Sequence, residues 1–566
     1  MRGLLPRPHT LLPGLTALAL LLPTATSAVR IPVTPVPGSG YVHAPRRLAA
    51  RANSTVGLEV ENVSNVEYLG NITLNGETFT VILDTGSADL WVAGSVPSST
   101  DLGKAVSLSY AIGTAKGNVN SAKLTFGDYS VDNQAFVLVT DTSTFSSDFA
   151  TAAYKGLLGL GPNSGSVIYR KLDEDDNSGD SALFRIFEES QNTSQFITLF
   201  LNRVDATGKS ANQSEFTISE IIPGLEAVQQ QQKLTIKDVP TLTDADQHWA
   251  VLSDAWGLTG PDGNYVEIGS SVPRVDDQKL VAVIDSGFTY SQVPRKMSDA
   301  IYGRVQGAWY DSTQELWRVP CAQELNIVFH FGGADFPIHP LDVSTSDITV
   351  TQGGTKYCTG TFQPITTAFS LLGEYDIILG MSFLRNAYVL IDFGDFVDNG
   401  KDTSDPFVQM LPTTNNVTAH TEFTSARGST SPTLLPASQQ SSSPETASEI
   451  KAHREQKVLK YWPYILVGCL AFTGIAAGLC IWACCMRRKR RRAAAAATAA
   501  GLAMPTRQNQ DYVALGEQRG SGMLGVAGQK DAMMSSDSVY AGRGSTSSFR
   551  PDQEYGGGGG YGYGKH

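Results

Sequence analysis

The chain is sparing with charge, cysteine and histidine. Charged residues fill only 17% of its 566 positions, and 43 Lys+Arg against 55 Asp+Glu leave a net charge of −12. That shortage of positive charge argues against a nucleic-acid binder, which needs a basic face to displace phosphate counterions. Neither a heptad repeat nor a Gly-X-Y period recurs, which excludes coiled coil and collagen. There is no Gly-x-Ser-x-Gly elbow and no His-Glu-x-x-His zinc helix, so the common serine and zinc hydrolase classes fare badly. Between residues 66 and 400 the only histidines are His248, His330 and His339, each read as structural. Only two cysteines, Cys321 and Cys358, fall in that stretch. They can pair in an oxidising compartment; a metal site is the competing reading, which the lack of a nearby His pair makes poor.

Long apolar runs are equally scarce, and the two present set the compartment. Residues 1–28 carry Arg2 and Arg7, an apolar run and the small residues Ala25-Thr26-Ser27-Ala28, the pattern of a secretory signal peptide. Residues 461–486 carry no formal charge and are followed by Arg487-Arg488-Lys489-Arg490-Arg491-Arg492. That length spans a hydrocarbon layer about 30 Å thick, and the basic block places its far side in the cytoplasm. A single-pass type I membrane protein is the expectation, at the cell surface or plasma membrane, with a vacuolar or endosomal membrane as the alternative. Six Asn-x-Ser/Thr sequons, Asn53, Asn62, Asn71, Asn192, Asn212 and Asn416, all lie on the expected outer side. Residues 412–460, rich in Ser, Thr and Pro, read as an extended stalk that cannot bury a core. The tail 487–566, with Ala, Gly and Ser runs, reads as disordered. It holds a Tyr512-Val513-Ala514-Leu515 pattern of the sorting-signal kind, and Cys484 and Cys485 stand at the cytoplasmic edge of the span.

Between about residues 66 and 400 short apolar runs alternate with Gly, Asn, Asp and Ser clusters, a mainly β pattern. Helical patterns are few, the better ones being 180–190 and 296–309. Within this stretch a half-site repeats. Val81-Ile82-Leu83-Asp84-Thr85-Gly86-Ser87 returns as Val281-Ala282-Val283-Ile284-Asp285-Ser286-Gly287. Each copy has a later partner, Gly156-Leu157-Leu158-Gly159 and Asp376-Ile377-Ile378-Leu379-Gly380. One Asp-Thr-Gly is an ordinary turn, but two copies behind apolar strands predict two carboxyls carried into one groove. Such carboxyls cannot both ionise cheaply, so they share a proton. One can then activate a water while the other polarises a carbonyl, with no metal or cofactor required.

These motifs resemble the pepsin-like family of aspartic proteases over about residues 66–400. The resemblance implies a bilobal, mainly β fold with an N-lobe at 66–235, a C-lobe at 236–400 and the active-site cleft between them. It implies Asp84 and Asp285 as the catalytic pair, with Thr85, Gly86, Ser87, Ser286 and Gly287 supporting them. Ser107-Leu108-Ser109-Tyr110 with Gly113 and Gly117 resembles the family's flap, so Tyr110 is expected over the substrate with Trp91 behind its hydroxyl. Cys321 and Cys358 look like the C-lobe disulfide, and the anchor suggests the surface-bound fungal members. Three departures stand out. Phe288 occupies the place of the Ser or Thr that bonds the second Asp. Ala111 and Ile112 make the flap tip more apolar, and the early N-lobe loop is short, with no Cys pair.

The resulting expectation is an acid endopeptidase that hydrolyses extended polypeptide and needs no cofactor. Residues 29–51 are read as a short propeptide, with Arg46-Arg47 suited to a dibasic processing protease. The rival reading is an inactive pseudoprotease that keeps the cleft as a peptide-binding surface.

Overall fold

The computed structural model describes residues 29–38, 60–62, 65–110, 113–142, 145, 152–172, 177–189, 194–203, 214–237, 247–272, 275, 278–365, 375–397, 404–428, 432–445 and 447–499. The expected signal peptide, Arg46-Arg47, Asn53, Asn192, Asn212, the flap tip at 111–112 and the tail beyond 500 lie outside the described residues. The chain divides into two units, residues 1–471 and 472–566. Only the first concerns the site.

That unit is mainly β. Among the described residues one sheet of 13 strands runs through both lobes, and a five-stranded sheet forms the core of the C-lobe. In each lobe the two halves of the repeat pair in parallel. Strand Glu77–Asp84 aligns with Gly156–Gly159, setting Asp84 beside Gly159, and Val281–Ile284 aligns with Ile377–Leu379. Both Asp-bearing strands read as unbroken apolar runs because both of their faces are covered, unlike the alternation of a one-sided sheet. Val81, Leu83, Val281 and Ile284 are all fully or nearly fully buried. The two expected helices form as Ala182–Glu189 and Arg295–Tyr302, the second stopping early where Gly303 caps it.

Two stretches depart from the sequence reading. Residues 29–38 form a strand within the large sheet. Val29–Val33 pair with Ser214–Ile218, and Thr34–Gly38 pair with Asn65–Leu69. Among the described residues each half pairs with one neighbour only. The second departure corrects the expected stalk. Strand Phe407–Pro412 pairs along its length with Ala387–Asp392, so the folded unit continues beyond residue 400. Helix Asn416–Arg427 then packs onto the C-lobe through fully buried Phe423 and Ala419. Its His420 meets Glu324 at 2.8 Å, while His339 of the lobe meets Glu422 at 3.0 Å. Further on, Leu434 bridges to Val305, and Ser443 donates to Asp299 at 2.6 Å. Ser/Thr/Pro richness gave no sign of this, because two apolar side chains and a few capped polar pairs suffice to hold the strap down.

Helix Ala447–Ala499 follows, with Pro463 inside it. Its stretch Tyr461–Ala499 includes a run long and apolar enough to cross a membrane.

Candidate active site

Asp84 and Asp285 end their strands at the junction of the lobes, 5% and 7% exposed. Their carboxyls face one another across the junction, each reaching the glycine of the opposite loop and close enough to influence the other's proton. Below them the two loops interlock. Thr85 N–H donates to Ser286 Oγ at 3.0 Å and Ser286 N–H to Thr85 Oγ1 at 2.9 Å. Each hydroxyl in turn donates across the junction, Thr85 Oγ1 to the Ile284 carbonyl at 2.9 Å and Ser286 Oγ to the Leu83 carbonyl at 2.7 Å. Four buried bonds between segments about 200 residues apart hold the two aspartates at fixed separation, which a water-activating pair requires.

Glycine follows each hydroxyl residue because the opposite carboxyl lies where a side chain would begin. A β-carbon on Gly287 would stand 2.4 Å from Asp84 Oδ1. The N–H groups of Gly86 and Gly287 instead donate to Oδ1 of their own lobe's aspartate, each at 2.9 Å. Gly380 answers a similar need, since a β-carbon there would meet the Phe288 carbonyl at 2.5 Å.

The pair is not symmetric. Ser87 Oγ donates to Asp84 Oδ2 at 2.5 Å. Phe288, three residues after Asp285, has no hydroxyl to offer; its half-buried ring packs against the cluster of Ala250, Val281, Val283, Tyr375 and Ile378. Burial pushes the Asp285 carboxyl well above the usual carboxylate range, and the neighbouring Asp84 charge pushes it further. Burial also raises Asp84, but the bonds from Ser87 and Gly86 work against it. The pair therefore keeps its proton on Asp285 and its charge on Asp84.

Over Asp84 lies the hairpin of Thr100–Tyr110 and Gly113–Phe126. Tyr110 is half-buried at its end, its ring 6.2 Å from that of fully buried Trp91. Its phenol lies beside the Trp91 indole and Ser87, and Ser87 in turn donates to Asp84. Burial, with the charges of Asp89 and Asp84, pushes the phenol far up and keeps it protonated. Asp89, which the sequence reading passed over, anchors this neighbourhood by accepting from Ser166 Oγ at 2.6 Å and from the Val167 and Ile168 N–H groups at 3.0 Å. Helix capping by an Asp in the first motif has a recognisable residue type but no local spacing, since its partner lies 77 residues on.

The remaining sequence expectations fall elsewhere. Cys321 and Cys358 form a disulfide in the C-lobe. His330 is tied to Thr259 and Asp335, and His339 caps the helix Pro340–Val343, so both are structural. Asn71 and Asn416 are exposed, and Asn62 ends a short strand. Among the described residues no group of three or more His, Cys, Asp or Glu could hold a metal ion.

Comparison with known proteins agrees with this geometry. The profile of the eukaryotic aspartyl protease family matches residues 67–396. Major aspartyl peptidase 1 of Cryptococcus neoformans is 25% identical over 374 residues, covering 62% of this chain and 71% of its own. Aspergillopepsin-1 of Aspergillus oryzae is 27% identical over 63% of this chain and 84% of its own, and secreted aspartic protease 8 of Candida albicans 26% over 57% and 73%. With two Asp-bearing loops interlocked at the lobe junction and a profile match over most of the folded unit, the chain belongs to the eukaryotic aspartyl proteases, peptide-bond hydrolases of pepsin-like fold.

Proposed function

We propose that the protein is an acid endopeptidase held to a membrane by the helix through residues 461–486, with its cleft on the outer side. The observation that carries the chemistry is the facing of the Asp84 and Asp285 carboxyls across the lobe junction. Asp84, ionised, takes a proton from a water lying between the two groups. The hydroxide adds to the scissile carbonyl carbon while Asp285 gives its proton to the carbonyl oxygen. Asp84 then hands its proton to the leaving nitrogen, and Asp285 recovers one from the diol as the C–N bond breaks. Tyr110 closes the cleft above an extended substrate. The packing of Tyr110 on Trp91, beside the Ser87 that donates to Asp84, supports that role.

Anchoring rests on the apolar helix and the six basic residues after it. The exposed Asn71 and Asn416 suit glycosylation outside the cytoplasm, and cleavage after Arg46-Arg47 by a dibasic processing protease suits maturation. Residence at the cell surface is the reading we favour over a vacuolar or endosomal membrane.

The test uses the full-length chain in detergent with a denatured protein as substrate. Cleavage at roughly pH 3–5 that disappears in Asp84→Asn supports the peptidase. Phe288 favours a second reading, a peptide-binding surface without turnover. Equal inertness of wild type and Asp84→Asn, with retained binding of extended peptide, would establish it.

A further inference from the structure

Each aspartate follows a strand whose side chains alternate between two faces, and in the C-lobe the two faces are sorted cleanly. Ala282 and Ile284 point into the main core, with Val251, Ile377 and Leu379 of the neighbouring strands. Val281 and Val283 point the other way and join Ala250, Ile378 and Tyr375 in a smaller cluster. The register accounts for this, since Val283 lies beside Ala250 on one side and beside Ile378 on the other. Asp285 N–H donates to the Leu379 carbonyl at 3.1 Å, so the ladder reaches the aspartate itself. By alternation Asp285 shares the face of Val281 and Val283. The smaller apolar cluster therefore begins two residues from the reacting carboxyl.

The N-lobe follows the same plan with a different ending. Asp84 shares its face with Ile82, which lies beside Leu157 and belongs to a cluster with Trp91 and Val106; Tyr110 of the hairpin packs against that cluster. The C-lobe cluster is bounded instead by partly exposed Phe288 and Ile365. Both are fixed through their backbones. Met381 N–H donates to the Phe288 carbonyl at 2.7 Å, and Ile365 N–H to the Val293 carbonyl at 2.8 Å. A partly exposed ring held three residues from Asp285, against a cluster that contains Tyr375, makes an aromatic surface at the edge of the reaction centre. We propose that Phe288 is a specificity-determining residue: its ring receives the side chain of the substrate residue flanking the scissile bond on the Asp285 side, and selects an aromatic side chain there over an aliphatic one. The inference rests on the peptidase reading above. The cluster as a whole supplies an apolar surface, and discrimination between aromatic and aliphatic side chains is what Phe288 adds.

Rings in offset or edge-to-face contact attract one another beyond the area they bury, by an amount worth roughly twofold to tenfold in a binding or rate constant. A small hydroxyl side chain in the place of Phe288 offers no such preference. When one enzyme cleaves two peptides, the ratio of their kcat/KM values reports differential transition-state binding. Any change that a substitution makes to the proton balance of the pair cancels in that ratio.

The experiment uses the full-length chain in detergent and two pairs of otherwise identical peptides. One pair carries Phe or Leu just before the scissile bond, the other just after it. Wild type is expected to favour Phe roughly twofold to tenfold at one of the two positions. In Phe288→Leu that preference should fall to near one while the other position is unchanged, and in Phe288→Tyr, which keeps a ring, it should persist. Ratios equal in wild type and Phe288→Leu at both positions overturn the inference, even where the variant loses rate uniformly on all four peptides, as does a wild type without preference for Phe at either position. Binding of the same peptides to Asp84→Asn, with and without Phe288→Leu, measured by fluorescence anisotropy, gives a readout without turnover. Should the wild-type chain prove inert, the peptidase reading falls, and the binding ratios alone decide whether Phe288 selects an aromatic side chain.

Discussion

Gly86 of one lobe lies so close to Asp285 of the other that a β-carbon built on it would stand 2.2 Å from Oδ2. No real atoms approach so closely, and the group in the way is the reacting carboxyl. Gly86→Ala must therefore displace Asp285 by about an ångström, a misplacement expected to cost on the order of 100-fold in kcat/KM. The measurement is turnover of denatured protein beside thermal unfolding; a variant with wild-type activity would show that the two carboxyls are not the working pair.

Phe288 separates the two halves of the pair. Phe288→Thr places a hydroxyl within reach of Asp285, which stabilises its ionised form. The basic limb of the pH–rate profile is expected to move to lower pH. Ser87→Ala, which removes the corresponding donor from Asp84, is expected to raise the acid limb and to weaken the link to Tyr110. Profiles unchanged in both variants would dissociate the hydroxyls from the proton balance.

Stability carries its own pH signature. Asp285 binds its proton more tightly in the folded chain than in the unfolded one, by burial and by the Asp84 charge. Its contribution is fully present below the ordinary Asp range, near 3.9, and is lost as pH rises through the elevated value. Thermal unfolding of wild type should therefore fall in temperature from acid toward neutral pH. Asp285→Asn should flatten that decline.

Asp342 works in the opposite sense. Burial pushes its carboxyl up, but the guanidinium groups of Arg203 and Arg385 outweigh burial and hold it far below the usual range. Arg385 Nε donates to it at 2.7 Å. Its contribution is full above the ordinary Asp range and is lost progressively as pH falls from there toward that depressed value, so it is still present at pH 5. Arg385→Met, which strands the buried charge, is expected to lose about 3–5 kcal/mol in denaturant unfolding at pH 5.

The strap beyond residue 412 gives a prediction with no catalytic content. Phe423 is fully buried against the C-lobe, so Phe423→Ala is expected to lower stability by about 3–5 kcal/mol. A chain ending at residue 411 should unfold more readily than one ending at 445. Equal unfolding midpoints would mean the strap rests on the lobe without stabilising it.

The sequence by itself determined the site's chemistry. Two copies of an apolar run ending in Asp, a hydroxyl residue and Gly are local patterns, and each lobe's buried parallel pairing follows from runs covered on both faces. The Cys321–Cys358 pair and the apolar helix are legible for the same reason, because residue type and spacing state them directly. Tertiary structure alone decided which distant groups meet. It bonded Thr85 to Ser286 across 201 positions and brought Asp89 to the start of a helix, where it accepts from Ser166, 77 residues on. It also turned a polar Ser/Thr/Pro stretch into a docked strap, since a single buried Phe with capped hydrogen bonds outweighs the composition around it. Composition averages over a segment, whereas burial acts on individual side chains.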